Sequence, residues 1–397
     1  MSDAAPSGRA APAAAGGVTL SLDAMGGDQG PAVVVAGLRA FLAEEPAARV
    51  ILHGPEGTLG PLAASLGDRV RLAHAPGVVD MTDKPSQVMR GGKDTSMWSA
   101  VDSVRDSTAQ AVLSCGNTGA LMAVSMLRLR KLAGVNCPAI ACLWPSHNPT
   151  GFNVMLDVGA DLRADPEDLL VYALMGASYA RQGLGIARPR VGLLNVGTEE
   201  HKGRPELREA HELIDAAAPR GDFDFVGFAE GGDIPSSRLD VVVTDGFTGN
   251  VALKTGEGTA RLISTLLREA LTAGPLGMAA ALLARAQLGR LRVRIDPRRV
   301  NGGVFLGLNG TVGKSHGSAD ATGVAAALGL AHRLAEAEFS DRIAARVASA
   351  VALAQGETSE TENAGGPTPA DGAQDAAGAR APQAPDMGQA PEERQGR

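Results

Sequence analysis

The stretch VTLSLDAMGGDQGPAVVVAGLRAFLAEEPAARVILHG, residues 18–54, holds the pattern that decides the fold. An apolar, β-branched run at residues 18–23 gives way to a glycine-rich turn, then to a helical stretch at 31–45, then to a second apolar run at 49–54. Similar short runs recur as AVLSC (111–115), NVMLDV (153–158), RVGLLNV (190–196) and LDVVVTD (239–245), with helical stretches between such runs. This alternation predicts parallel strands joined by crossover helices, an α/β fold with a mostly parallel sheet covered on both faces.

The small polar residues fall at strand ends. The runs are followed by GGDQGP (26–31), GNTGA (116–120), GAD (159–161), GTEEHKG (197–203), GFTGN (246–250) and SHGSADA (315–321). Ligands of open parallel sheets bind outside the carboxyl ends of the strands, so these six loops are expected to converge on one crevice. Helix starts at Asn117-Thr118, at Thr248-Gly249-Asn250 and at Ser318 would turn backbone N–H groups toward an anion, which suits phosphate. Taken singly, each loop has the residues of ordinary turns and N-caps; together they favour phosphate handling.

GLNGTVGKSHGSAD, residues 307–320, imitates a nucleotide-binding P-loop through Gly313-Lys314-Ser315. The P-loop needs a glycine five residues before Gly313, and that position is Leu308. Lys314 beside His316 and Ser318 reads instead as a phosphate clamp, with His316 as the acid–base candidate. Asp23, Asp157 and Asp245 close their strands and are assigned to orienting donors, since three carboxylates would repel a bound anion. Cys115, just before a helix start, is a possible nucleophile but more often such a residue only packs. His201 and Lys202 belong to an exposed loop and rank low as catalytic groups. There is no GxSxG, HExxH or early GxGxxG motif, so serine hydrolase, zinc protease and ordinary dinucleotide-dehydrogenase readings lack their parts.

Composition sets outer bounds. The 397 residues are 44% hydrophobic, enough for one large domain or two, and only 3% aromatic, which disfavours a base-stacking surface. A net charge of -7 argues against general nucleic-acid binding. Three cysteines without a CxxC pair exclude a disulfide framework and a cysteine-rich zinc site. Residues 1–17 and 355–397 read as flexible tails flanking a folded unit at 18–354, and the chain reads as cytoplasmic.

The motifs LDAMGGDQGP, KPSQVMRGGKDTSM, SCGNTGALMA, LLNVGTEEHKG, VTDGFTGNVALKT and GKSHGSADA, in this order, resemble the bacterial phosphate acyltransferase family, the acyl-carrier-protein:phosphate transacylases of phospholipid synthesis. The resemblance implies a three-layer, Rossmann-like α/β/α core similar to phosphotransacetylase and the isocitrate-dehydrogenase-like folds, and a homodimer. It implies transfer of a fatty acyl group from acyl carrier protein to inorganic phosphate, giving acyl phosphate for a membrane glycerol-3-phosphate acyltransferase, with no cofactor or metal. On this reading His316, Lys314, Asn250 and Asp245 are the catalytic candidates, and Gly116, Asn117, Thr118, Gly249, Asn250 and Ser318 bind phosphate. Asp23, Gly26, Gly27, Asp28 and Asp320 shape the site. The chain departs from the family pattern at Val304-Phe305, at Gly313 and at Cys115. Two other functions stay open on the residues: a P-loop-like nucleotide hydrolase, and a non-enzymatic phosphate-binding scaffold at a membrane surface.

Residues 256–299 predict a protruding helical hairpin. GEGTARLISTLLREALT places Leu262, Ile263, Leu266, Leu267, Ala270 and Leu271 on one face, whereas AGPLGMAAALLARAQLG has no clean stripe. Arg285, Arg290, Arg292, Arg294, Arg298 and Arg299 follow, with Asp296 the opposing charge. An apolar tip beside a basic patch is expected to meet an anionic membrane on the inner face of the cell envelope, while the arginines receive the acidic carrier protein; a dimer-interface helix pair is the alternative.

Overall fold

A computed structural model describes residues 17–199, 201–289 and 302–348. The chain begins with β1 (Thr19–Asp23), α1 (Pro31–Glu44), β2 (Arg49–Gly54), α2 (Glu56–Ala63), β3 (Val70–His74), α3 (Pro85–Gly91) and α4 (Ser96–Arg105). It continues through β4 (Ala111–Ser114), α5 (Thr118–Leu129), β5 (Ala139–Pro145), β6 (Phe152–Leu156), α6 (Pro166–Leu184) and β7 (Arg190–Leu194). Then follow α7 (Pro205–Gly221), β8 (Asp224–Ala229), β9 (Val241–Val243), α8 (Gly246–Thr272), α9 (Pro275–Leu283), β10 (Gly302–Leu306), β11 (Thr311–Ser315) and α10 (Ala321–Glu336).

Local chemistry sets the boundaries. Proline opens α1, α3, α6, α7 and α9, where its missing N–H costs no helical hydrogen bond. Asn117, Asp165, Asp245 and Asp320 cap α5, α6, α8 and α10 by accepting a backbone N–H three residues on. Gly185 ends α6 in the left-handed conformation.

The eleven strands of the described residues form one sheet in the order β3-β2-β1-β4-β11-β10-β5-β6-β9-β7-β8. Side chains alternate between its faces. Leu20, Leu22, Val241 and Val243 lie in clusters with residues of α1, α6 and α10, while Val112, Val242 and Val312 cluster with α4, α5 and the start of α8. The result is the expected three layers, helix on sheet on helix.

The sheet is mostly parallel, as expected, with an antiparallel insertion at its centre. β3, β2, β1, β4 and β11 are mutually parallel, but β10 runs antiparallel to β11 and to β5, and β6 runs antiparallel to β5. β9, β7 and β8 follow β6 in parallel. The two parallel halves therefore point opposite ways, and their carboxyl ends lie on opposite edges of the sheet.

Gly313-Lys314-Ser315 lies inside β11, every residue of which is buried, paired with β4 on one side and β10 on the other. A P-loop instead wraps phosphate with backbone N–H groups between a strand and a helix, so the nucleotide-hydrolase reading loses its structural part.

α8 starts against the sheet and then leaves it. Leu262, Ile263, Leu266 and Leu267 are all exposed, and α9 folds back at 115° with Leu276, Met278, Leu282 and Leu283 exposed. Among the described residues no single helix is long and apolar enough to cross a membrane. Residues 290–301 of the basic patch and both expected tails lie outside the described residues, residue 17 excepted.

Candidate functional site

One crevice forms where β1, β4 and β11 end side by side. α1 carries the chain from β1 toward β2 on one side, and β4 and β11 lie on the other, so the crevice sits at a topological switch point. Its loops touch through glycine. A Cβ on Gly26 would lie 2.5 Å from the Gly116 nitrogen, and Gly27, at φ 101°, passes Cys115 and the Gly317 carbonyl. The Asp28 N–H donates to that carbonyl at 2.7 Å. Side chains at Gly26 or Gly27 would hold the three strand ends apart.

Asp23 lies beneath this contact, wholly buried, where Ser114 Oγ donates to it at 2.7 Å and the Met25 N–H at 3.2 Å. Burial pushes its carboxyl up, against hydrogen bonds from Ser96, Ser114, Met25 and Gly26 that favour the anion. Lys314 is 8% exposed; its Nζ donates to the Cys115 carbonyl at 3.4 Å and to the Ser315 carbonyl. Burial lowers its pKa to about 8, against the opposing pull of Asp28 and Asp23. The Cys115 thiol is pushed up to about 11 by burial, so it stays protonated at neutral pH and has no nucleophile's character.

His316 stands exposed at the mouth. The Ser318 N–H donates to His316 Nδ1 at 3.3 Å and Ser318 Oγ lies 2.8 Å from the same atom. A backbone N–H only donates, so Nδ1 is the acceptor and the neutral ring carries its proton on Nε2. Burial lowers the His316 pKa, which favours that neutral form. Ser318 thus orients the ring. Asn117 is also committed within the protein: its Oδ1 accepts from Ala120 N–H at 3.0 Å, and its amide donates to the carbonyls of Met81 at 3.0 Å and Asp83 at 2.9 Å. It pins the 80–83 loop to the crevice, with Gly116 buried before it and Thr118 exposed at the helix start. Asp320 caps α10 through the Gly323 N–H at 3.0 Å.

The remaining candidates are elsewhere. Asp245, Gly249 and Asp157 lie on the opposite edge, because β6 and β9 point the other way. Asp245 accepts from the Thr248 N–H at 2.8 Å and pairs with Arg204 at 2.6 Å. Asp157 accepts the N–H groups of Ile140, Gly159, Ala160 and Asp161. Asn250 lies against Gly159 on the same edge. Lys202, exposed with His201, pairs with Glu199 at 2.7 Å. The expected convergence of six loops on one crevice is therefore corrected: within this chain they divide between two edges. Among the described residues no group of three His, Cys, Asp or Glu side chains is placed to hold a metal.

Ser96 and Ser114, which hold Asp23, were not among the sequence candidates, and neither were Lys254 and Glu257 on α8. The charges of Lys254 and Glu257 act on His316. The sequence signals for the latter pair are the motif VTDGFTGNVALKT, which includes Lys254, and the spacing Asn250, Lys254, Glu257, one stripe of a helix.

Residues 18–342 match the family model described as fatty acid synthesis protein. The chain is 67% identical over 347 residues to the phosphate acyltransferase of Paracoccus denitrificans (strain Pd 1222), covering 87% of this chain and 94% of that relative. It is 68% identical over 339 residues to that of Cereibacter sphaeroides (strain KD131 / KCTC 12085), covering 85% and 92%. In fold it is similar to a phosphotransacetylase from Streptococcus pyogenes, with TM-score 0.53, 17% identity, and coverage of 81% of this chain and 94% of that one.

Proposed function

The chain belongs to the phosphate acyltransferase family of fatty acid synthesis proteins, and from that premise we propose that it transfers a fatty acyl group from the thioester of acyl carrier protein to inorganic phosphate. The observation that carries this reading is the meeting of a buried lysine, Lys314, with a histidine whose proton is on Nε2, at the switch point of the sheet. Lys314 draws the phosphate dianion in, and the crevice holds it for attack.

A phosphate oxygen bonds to the thioester carbonyl carbon, and the carbonyl oxygen becomes an oxyanion. The neutral His316 ring donates through Nε2–H to that oxygen, a hydrogen-bond donor role in place of the expected acid–base one. Collapse breaks the C–S bond. The phosphate proton passes to the departing thiolate, leaving acyl phosphate and free carrier thiol; thiols are acidic enough for this step to need little help.

The test is to incubate the full chain with acylated carrier protein and inorganic phosphate, without nucleotide, and to follow acyl phosphate. Absence of phosphate-dependent thioester loss would overturn the reading. Phosphate binding without such loss would favour the scaffold alternative.

Phosphate affinity should depend on pH. The Lys314 pKa in the folded protein is about 8, below its ordinary value, so its ammonium is complete at lower pH and is lost as pH rises through about 8. KM for phosphate is therefore expected to rise above that pH; a KM constant from about pH 7 to 9.5 would exclude Lys314 as the clamp.

We further infer that the enzyme works as a cytoplasmic homodimer resting on the inner face of the membrane, where a glycerol-3-phosphate acyltransferase consumes its product. The exposed Leu276, Leu282 and Leu283 support this, because an apolar tip at 71–87% exposure is costly in water and favourable in lipid. Replacing Leu282 and Leu283 with Glu should abolish sedimentation with anionic vesicles and leave activity in solution intact. Undiminished sedimentation would remove α9 as the anchor.

A further inference from the structure

The mouth of the crevice has a second wall. α8 begins on the far edge of the sheet and crosses one face, held close by glycines: a Cβ on Gly246 would meet Asp157 Oδ2 at 2.4 Å, and one on Gly256 would meet the Trp144 ring at 2.4 Å. Trp144 is next to the last residue of β5, and β5 runs parallel to β11, so Gly256 has reached the edge where Lys314 and His316 stand. Flanking it are Lys254 and Glu257, joined by an ion pair of 3.0 Å.

Lys254 and Glu257 act across the crevice. Burial is the larger cause of the lowered Lys314 and His316 pKa values, but the Lys254 charge lowers both further, and Glu257 opposes it at His316. Two ammonium groups that repel each other from opposite walls share an affinity for a dianion between them. A surface pair such as Lys254–Glu257 contributes little to stability, so its contribution to the fold gives no reason for its placement.

We propose that Lys254 is the second cation of the phosphate subsite, facing Lys314 from α8, and that Glu257 is a positioning residue that holds the Lys254 ammonium toward the crevice. The proposal rests on the acyl-transfer reading for the identity of the anion. It makes the site a joint product of β11 and a helix that starts on the other edge.

The test is steady-state kinetics of the full chain with acylated carrier protein, together with calorimetric titration of inorganic phosphate. Losing one charge-assisted contact should raise KM for phosphate about ten- to hundred-fold in Lys254→Met, more than it lowers kcat, and weaken phosphate binding in parallel. Lys254→Arg should recover most of the loss, and Glu257→Gln should raise KM by about two- to fivefold, as expected for an indirect effect through an exposed pair. Wild-type KM and wild-type phosphate binding in Lys254→Met would overturn the proposal. If the wild type binds phosphate without turnover and Lys254→Met weakens that binding, the second cation stands and the acyl-transfer reading falls. A wild type that binds no phosphate overturns both.

Discussion

His316→Ala is expected to lower turnover by about a hundredfold or more, the loss typical of one donor aimed at a developing oxyanion. The imidazole is fixed by Ser318, whose N–H and hydroxyl both meet Nδ1, so Nε2–H is the atom it offers to substrate. Because this donor acts on charge that appears only after attack, kcat should fall much more than KM for phosphate rises. Ser318→Ala keeps the backbone N–H contact and loses the hydroxyl, so it should cost less than His316→Ala. Single-turnover release of carrier thiol separates the chemical step from product release. A His316→Ala enzyme with wild-type single-turnover rate would remove the histidine from the reaction.

Gly249→Ala is expected to destabilise the fold by about 3 kcal/mol or more. The added Cβ would lie 1.9 Å from the Asp157 carbonyl oxygen and 3.0 Å from its carbon, both backbone atoms. Asp157 cannot easily retreat, since its carboxylate is tied to the N–H groups of Ile140, Gly159, Ala160 and Asp161. The first turns of α8 would have to lift, carrying Lys254 and Glu257 with them, so phosphate affinity should weaken along with stability. Gly258→Ala is the control: its Cβ meets nothing within 4 Å, and an alanine on an exposed helical turn should stabilise by up to about 1 kcal/mol. Urea midpoints decide between them. Equal midpoints for Gly249→Ala and wild type would mean that α8 does not rest on the Asp157 loop.

Much of the crevice was legible in the sequence. Lys314, His316 and Ser318 are neighbours in the chain, and the loops of Asp23–Asp28 and Gly116–Thr118 end strands that pair directly, β1 with β4 and β4 with β11. The roles of Asn117 and Asp245 were less legible. An asparagine or aspartate before a helix signals a cap equally well whether or not its other atoms face a ligand. That Asn117 spends its amide on the Met81 and Asp83 carbonyls depends on a loop more than thirty residues away.

The sequence by itself determined six of the strands, their alternation with helices and the covering of both sheet faces, because apolar periodicity and capping residues act within a few positions and do not depend on distant chain. It also identified the family, since long ordered motifs such as VTDGFTGNVALKT need no coordinates to be matched. Only the tertiary structure decided which strand ends share an edge. An apolar strand reads the same whichever way it points, and its direction is set by ladder hydrogen bonds to strands far away in the chain. Here β10 and β5, paired across more than 150 residues, are inserted antiparallel between the two parallel halves and reverse the second half. That reversal sends Asp245 and Gly249 to the far edge and leaves α8 to bring Lys254 back to the crevice.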